Sequence, residues 1–202
     1  MTHPAFYYDF GSPYAYLAAE RIEAVLGPVD WRPVFLVGVF KATGRRSWVY
    51  TDDAGHEWAE IERRLADRGL PPIALCPDWA ARLVPSSTPA RSTLMAQRVA
   101  RVAVEHERIA EFSRGMYRAV FQRGADLTDP ATVLDVSDAA GLPSAEAARA
   151  IEDPARQEEV RAATADAVEA GVRGVPTVVV GGEVFWGDDQ LEDIAKTLRR
   201  DS

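Results

Sequence analysis

The chain has 202 residues, of which 47% are hydrophobic, and a formal net charge of −8 at pH 7. This length and composition suit one globular domain, or one domain that carries a large insertion. The negative charge argues against nucleic acids and anionic membranes as partners, because both repel an acidic surface.

The N-terminal segment predicts a strand, a helix and a second strand. Residues 5–10 form a short aromatic-rich run typical of a buried strand. Ser12 and Pro13 then provide a cap and a first-turn proline, and Gly27 follows a segment with apolar residues at helical spacing. Residues 29–37, VDWRPVFLV, predict the second strand, in which Pro33 indicates an edge position or a bulge. Such a unit predicts parallel strands joined by a right-handed crossover.

The middle of the chain, from about residue 42 to residue 170, has a helical pattern and no convincing strand. Helices are predicted within residues 55–72, 89–124, 129–143 and 144–153. The segment 89–124 is long enough for two helices or one bent helix. A capped helix at 154–170 then leads back to the first unit. This block is therefore predicted to be an all-helical insertion.

The C-terminal segment returns to β structure. Residues 174–187, GVPTVVVGGEVFWG, predict two strands around Gly181 and Gly182, a pair that suits a tight hairpin. Residues 188–200 predict a last helix with acids at its start and arginines at its end, as the helix dipole favours. The complete order predicts an α/β fold with a mixed four-stranded sheet and an inserted all-helical domain.

Cysteine and histidine usage limits the chemistry of the chain. Cys76 is the only cysteine, so no internal disulfide and no dithiol motif exists. His3, His56 and His106 have no paired metal-binding spacing, so no metal is predicted.

No stretch reaches the ~20 apolar residues of a membrane helix, and the N-terminus lacks the features of a signal peptide. We therefore expect a cytoplasmic protein.

Three short motifs occur at positions where a thioredoxin-like fold places its functional residues. DFGSPYAYL puts Ser12 in the turn that leaves the first strand. GVPT puts Pro176 at a strand start, where its missing N–H breaks no ladder bond, and the Val175–Pro176 bond is of the type able to be cis. FWGDDQL puts Asp188 and Asp189 at the start of the last helix.

The segments YDFGSPYAYLAAERI, VDWRPVFLVGVFKATG and GVRGVPTVVVGGEVFWGDDQLEDI resemble 2-hydroxychromene-2-carboxylate isomerases and kappa-class glutathione transferases. Both groups belong to the DsbA-like branch of thioredoxin folds. The resemblance implies a thioredoxin-like domain at 1–42 and 171–202, with the helix 154–170 packed on it, and a helical insertion domain at 43–153. It also implies glutathione as cofactor and a small aromatic substrate, and it allows a homodimer.

The resemblance implies a role for each matching position. Ser12 takes the place of the family serine that faces the glutathione sulfur. Val175, before Pro176, offers its backbone N–H and C=O to the cysteinyl part of glutathione. Asp188 and Asp189 fall where the family binds the γ-glutamyl end, and Asp189 is the closer match.

A second set of positions is assigned to carboxylates and to the aromatic ring. Lys41 matches a family lysine, whereas Arg45 stands where the kappa enzymes have an asparagine that helps to bind the cofactor. Arg45 is a candidate for the glycine carboxylate of glutathione, and Lys41, Arg45 and Arg46 are candidates for a substrate carboxylate. The candidates for an apolar wall against the substrate ring are Tyr14, Trp48, Trp79 and Trp186.

The residue chemistry agrees with thiolate binding at Ser12. A helix N-terminus can lower a thiol pKa from its usual value of ~8.5. The Ser12 hydroxyl can donate a hydrogen bond to a thiolate, which stabilises the charged form. The alternative is that Ser12 is only a helix cap, since Ser-Pro is a common helix start.

The leading functional hypothesis is a glutathione-dependent cis–trans isomerase, in which the glutathione thiolate adds reversibly to a conjugated double bond. A kappa-type transferase that conjugates electrophiles is the second hypothesis. A non-catalytic module that binds thiol peptides is the third. A disulfide oxidoreductase is disfavoured because a second cysteine is missing.

Overall fold

The structure is a computed structural model that describes residues 3–76 and 93–200. Its strands β1 (Ala5–Tyr8), β2 (Asp30–Pro33), β3 (Thr177–Val180) and β4 (Glu183–Trp186) form one sheet in the order β2-β1-β3-β4. β1 is parallel to β2 and antiparallel to β3, and β3 is antiparallel to β4. The predicted α/β fold with a mixed four-stranded sheet of thioredoxin type is therefore confirmed.

The helix predicted after β1 is two helices, α1 (Pro13–Ala19) and α2 (Ile22–Leu26). At the break, the Arg21 N–H donates to Ala18 O at 3.1 Å. The side chains of Glu20 and Arg21 pair there with Arg118 and Glu192, from distant parts of the chain. The one-helix prediction was wrong because Arg21 leaves the helical conformation, with φ −134° and ψ −11°, and helical periodicity does not signal such a change.

The second strand is shorter than residues 29–37. β2 lies at the edge of the sheet, as Pro33 indicated, but it ends at that proline. The Val34 N–H still donates to Tyr8 O at 2.9 Å, and the Leu36 N–H then donates to the Asp9 carboxylate at 3.0 Å. That contact lies at the start of α3 (Leu36–Thr43), which occupies residues predicted to finish the strand.

The described part of residues 43–153 contains helices and no strand. In the segment 89–124, the described residues 93–124 form two separate helices rather than one bent helix, followed by a π-helical turn (Arg118–Gln122). The helices are α4 (Ala54–Asp67), α5 (Leu94–Glu105), α6 (Ile109–Tyr117), α7 (Pro130–Ala139) and α8 (Ser144–Ala150), and a 3-10 turn spans Trp48–Tyr50. The following helix, α9 (Pro154–Glu169), packs against α3 and α5.

The predicted hairpin turn joins β3 to β4 through Gly181 and Gly182, whose φ angles of 59° and 84° are in the region that favours glycine. A 3-10 turn (Asp188–Gln190) then precedes α10 (Leu191–Arg200). None of the helices described here is long and apolar enough for a membrane span.

The core joins the sheet to α6 through aromatic rings. The Tyr8 ring contacts the Phe6 and Trp31 rings, with centroids 5.1 and 5.4 Å away. The hydroxyls of Tyr8 and Ser113 are 2.6 Å apart, and the Tyr117 hydroxyl donates to Asp9 O at 3.1 Å. These bonds fix the end of β1, from which the turn to α1 leaves.

Candidate active site

A cavity of about 670 Å³ opens beside the β1–α1 turn, between α3 with its following segment and the loop before β3. Neighbouring strands β1 and β3 bring the two ends of the chain together at this point. The cavity is lined by every described residue to which the sequence assigned a site role: Ser12, Tyr14, Lys41, Arg45, Arg46, Trp48, Val175, Pro176, Trp186, Asp188 and Asp189. The remaining candidate, Trp79, lies outside the described residues.

Ser12 is the N-cap of α1 and also faces the cavity. Its Oγ accepts a hydrogen bond from the Ala15 N–H at 3.1 Å, and the residue is 7% exposed. Within the described part of the chain, no acceptor takes the hydroxyl proton. The serine can therefore cap the helix and donate to a ligand at once.

Asp9 is a buried carboxylate beneath the turn that carries Ser12, and no role was assigned to it from the sequence. Its Oδ1 accepts from the Gly11 N–H at 2.9 Å, and its Oδ2 accepts from the Leu36 N–H at 3.0 Å and the Thr93 hydroxyl at 2.9 Å. Burial raises the pKa of Asp9, and these donors partly oppose that rise. The sequence carries one signal for this role, an acidic residue directly after an apolar strand, because a carboxylate buried there needs hydrogen-bond donors.

The loop before β3 forms the opposite side of the cavity. The Val175–Pro176 peptide bond is cis. The carbonyl of Pro176 accepts from the Gly187 N–H at 3.0 Å, and the carbonyl of Gly174 accepts from the Thr177 hydroxyl at 2.8 Å. These bonds tie the loop to the end of β4 and to the start of β3.

The two neighbouring aspartates have different environments. Asp188 is fully buried, and its two oxygens lie 2.5 Å from Nη1 of Arg64 and 2.5 Å from Nη1 of Arg68. The Asp189 side chain is 55% exposed, and Arg64 is its nearest cation, at 3.9 Å. The Asp188 charge is therefore neutralised within the protein, whereas the Asp189 carboxylate remains available to a ligand.

Helix α4 contributes two cavity residues that sequence reasoning missed, Glu57 and Arg64. The Tyr14 hydroxyl donates to Glu57 Oε2 at 2.5 Å, and the Arg64 guanidinium carbon lies 5.5 Å from the centroid of the Tyr14 ring. Burial and the bond to Glu57 raise the pKa of Tyr14, which keeps its hydroxyl protonated. The amphipathic pattern of α4 predicts a buried face but gives no motif for these roles.

Three cations, Lys41, Arg45 and Arg46, lie along the α3 side of the cavity. In residues 3–76 and 93–200, none of them forms an ion pair. The Arg45 guanidinium carbon lies 4.6 Å from the centroid of the half-exposed Trp186 indole. Gly174 permits this position of the indole, because a Cβ there would lie 2.9 Å from the Trp186 Nε1.

The cavity thus combines a hydroxyl donor, an exposed carboxylate and unpaired cations with an aromatic wall. Such a site suits a ligand that carries an ammonium group, carboxylates and an apolar part. Among the residues described, no cluster of three histidine, cysteine or acidic side chains has a metal-binding arrangement.

Comparisons with known proteins agree with the fold and identify proteins that are similar to this chain. The chain is 26% identical to a 2-hydroxychromene-2-carboxylate isomerase of Sphingobium xenophagum, over 96% of each sequence. It is 25% identical to human glutathione S-transferase kappa 1, over 95% of this chain and 88% of the relative. A solved structure of a 2-hydroxychromene-2-carboxylate isomerase superposes with a TM-score of 0.79 at 23% identity, covering 98% of this chain and 94% of that one.

A family model extends the match across almost the whole chain. The model for the DSBA-like thioredoxin domain matches residues 5–199, a range that contains both the sheet and every residue of the cavity. The chain therefore belongs to the family of DSBA-like thioredoxin domains.

Proposed function

We propose that the protein is a glutathione-dependent cis–trans isomerase of 2-hydroxychromene-2-carboxylate-type aromatic catabolites. The observation that carries the proposal is the Ser12 hydroxyl, which faces a cavity of about 670 Å³ with its proton unused among the described residues. The isomerase relative, aligned over 96% of both sequences, supports this reaction over others of the fold.

Glutathione is proposed to bind with its thiolate at Ser12, which donates a hydrogen bond to the sulfur. The Val175 backbone, before Pro176, is proposed to hold the cysteinyl part. The exposed Asp189 carboxylate suits the cationic α-amino group of the γ-glutamyl end. Asp188 is the weaker candidate for that group, because it already has two arginine partners. Arg45 is proposed to bind the glycine carboxylate or to share it with the substrate.

The substrate is proposed to place its carboxylate near Lys41 and Arg45 and its ring against Tyr14 and Trp186. The thiolate adds to the carbon–carbon double bond conjugated with the substrate carbonyl, and that bond becomes single. Rotation about the single bond and expulsion of the thiolate give the trans product. Glutathione is regenerated, so the protein borrows a nucleophile that its own sequence does not supply.

The test is to follow 2-hydroxychromene-2-carboxylate by ultraviolet absorbance with and without glutathione, while free thiol is titrated. The proposal expects turnover that requires glutathione at constant thiol concentration. Turnover without glutathione, or binding of glutathione without turnover, would contradict it, and the latter result would identify a thiol-peptide binding module.

A kappa-type transferase is the second candidate, favoured by the human relative that matches 95% of the chain. It uses the same thiolate site but releases the glutathione adduct. The same titration separates the two reactions, because conjugation consumes one thiol for each product and isomerisation consumes none.

A further inference from the structure

The hydrogen bond between Tyr14 and Glu57 leaves the tyrosine oxygen able to accept a proton from a ligand. The hydroxyl donates to Glu57 Oε2 at 2.5 Å, so its hydrogen is directed toward α4. The lone pairs of the same oxygen are not used by that bond. Both side chains line the cavity that contains Ser12. A proton that arrives at the tyrosine oxygen can therefore be matched by transfer of the tyrosine's own proton to Glu57.

A 2-hydroxychromene-2-carboxylate needs such a proton acceptor before a thiolate can add to it. Its C2 carries a hydroxyl, a carboxylate and the ring oxygen, and so is a hemiketal carbon. In this closed form the ring double bond is conjugated with no carbonyl, and a thiolate has no acceptor. Opening of the ring creates the ketone, and only then is the double bond activated toward nucleophilic addition.

We propose that Tyr14 and Glu57 form a proton relay that opens the hemiketal ring, a step that rests on the proposed function. The C2 hydroxyl gives its proton to the Tyr14 oxygen while the Tyr14 proton passes to the Glu57 carboxylate. The C2 oxygen forms the ketone as the bond from C2 to the ring oxygen breaks, and its electron pair leaves on the phenolate. The proton then returns from Glu57 through Tyr14 to the phenolate, so protons and electrons balance.

Arg64 is placed to support the charge that develops during this transfer. Its guanidinium carbon lies 5.5 Å from the Tyr14 ring centroid, where a cation stabilises negative charge on the phenol. Arg64 is itself held by Asp188 at 2.5 Å and by Glu60 at 2.7 Å. The relay therefore has a fixed geometry, as general acid–base catalysis requires.

The experiment compares two substrates in the Glu57→Gln and Tyr14→Phe variants, with glutathione present. The first substrate is 2-hydroxychromene-2-carboxylate, which must open. The second is cis-benzylidenepyruvate, which lacks the phenolic oxygen and cannot close. Each variant should lose at least ~10²-fold in kcat on the first substrate and far less on the second, because the second substrate needs no ring opening and Tyr14→Phe keeps the aromatic ring beside the ligand. The double variant should lose no more than either single variant, because both residues serve one step.

Glu62→Gln is the matched control, since it removes a carboxylate from an exposed position of α4 outside the cavity. It should leave both reactions unchanged. Equal losses on the two substrates would overturn the relay and assign Glu57 to the shape of the site, and retention of both reactions would also overturn it. If the wild-type protein isomerises neither substrate with glutathione, the proposed function itself is wrong. That result differs from equal losses in the variants, which would overturn the relay alone.

Discussion

Nη1 of Arg64, in α4, lies 2.5 Å from Oδ1 of Asp188, a carboxylate with no exposed surface. Arg68, the C-cap residue that follows α4, pairs with the other carboxylate oxygen at 2.5 Å. The two contacts join a helix from the middle of the chain to the 3-10 turn before α10. The Asp188 carboxylate therefore fixes the position of α4 relative to the turn before α10, and both segments line the candidate active site.

Replacement of Asp188 by asparagine should strongly destabilise the fold. The variant leaves Arg64 and Arg68, each less than one fifth exposed, without their shared counter-charge. The loss of one partner of a buried pair costs about 3 kcal/mol, which urea unfolding can measure. Asp189→Asn removes a neighbouring, exposed carboxylate and should change the free energy of unfolding by less than about 0.5 kcal/mol. Equal losses in both variants would contradict the assignment of Asp188 as the structural acid.

Asp189→Asn should instead weaken the binding of glutathione. A charge-assisted hydrogen bond to the α-amino group contributes about 1.5 kcal/mol, so the Kd measured by calorimetry should rise roughly tenfold. Asp193→Asn is the control, because that exposed acid lies on α10 and pairs with Lys196. An unchanged Kd in folded Asp189→Asn protein would remove Asp189 from the cofactor site.

The ends of the chain could be predicted from sequence because their signals are local. The Ser-Pro helix start, the Gly181–Gly182 turn and the proline at the start of β3 each follow from the conformational preferences of one or two residues. Their order along the chain then fixed the sheet topology, which the structure confirms. The candidate residues line one cavity because this topology brings the β1–α1 turn beside the loop before β3.

The features that sequence reasoning missed depend on contacts between distant segments. The break between α1 and α2 occurs where Glu20 and Arg21 pair with residues of other helices. Glu57 reaches the site only because α4 packs beside α1. Neither contact has a motif, and the hydrophobic period of a helix reports which face is buried, not what that face meets.

Arg45 should determine the affinity for an anionic aromatic ligand. Its guanidinium stacks on Trp186 and has no ion-pair partner in the described part of the chain. Arg45→Gln removes the charge and should raise the KM for the chromene carboxylate about tenfold, as expected for loss of a charged hydrogen bond. Arg45→Lys keeps the charge and should raise KM by a smaller factor. The remaining effect comes from the loss of the planar guanidinium, which can form two parallel hydrogen bonds and stack on Trp186.

Arg32→Gln provides the control for Arg45, because Arg32 is an exposed arginine on β2 outside the cavity. It removes the same charge from the chain and should not change KM. If Arg32→Gln and Arg45→Gln raise KM alike, the effect belongs to overall charge rather than to a carboxylate site.

The hydrogen bond from Thr93 to Asp9 should give a stability effect that depends on pH. Burial raises the pKa of folded Asp9, so the free energy of unfolding falls as pH rises from the unfolded pKa through the folded one. The Thr93 hydroxyl opposes this, because it favours the charged carboxylate. Thr93→Val should therefore raise that pKa further and cost about 2 kcal/mol at pH 7. The cost should shrink as pH falls through the Asp9 pKa.

Thr164→Val is the matched control for Thr93→Val. Thr164 is equally buried, but its hydroxyl donates to Val160 O at 2.7 Å and accepts from the Phe35 N–H at 3.0 Å, which are uncharged partners. Its stability cost in urea unfolding should be the same at each pH. A cost of Thr93→Val that is also independent of pH would show that Asp9 does not titrate within the range, and would contradict the prediction.

Ser12 is the cap of α1 and the proposed donor to the thiolate, and three variants can separate these two roles. Ser12→Ala removes the cap of α1, at a cost of about 1 kcal/mol, and the donor to the thiolate, so turnover should fall at least ~10²-fold. Ser12→Gly retains most of the capping energy and should lose the same turnover. Asp153→Ala removes the cap of α9, whose Oδ1 accepts from the Ala155 N–H at 2.8 Å, and should lose stability alone. If Ser12→Gly keeps wild-type turnover, the serine is only a cap, and the thiolate must be stabilised by another donor.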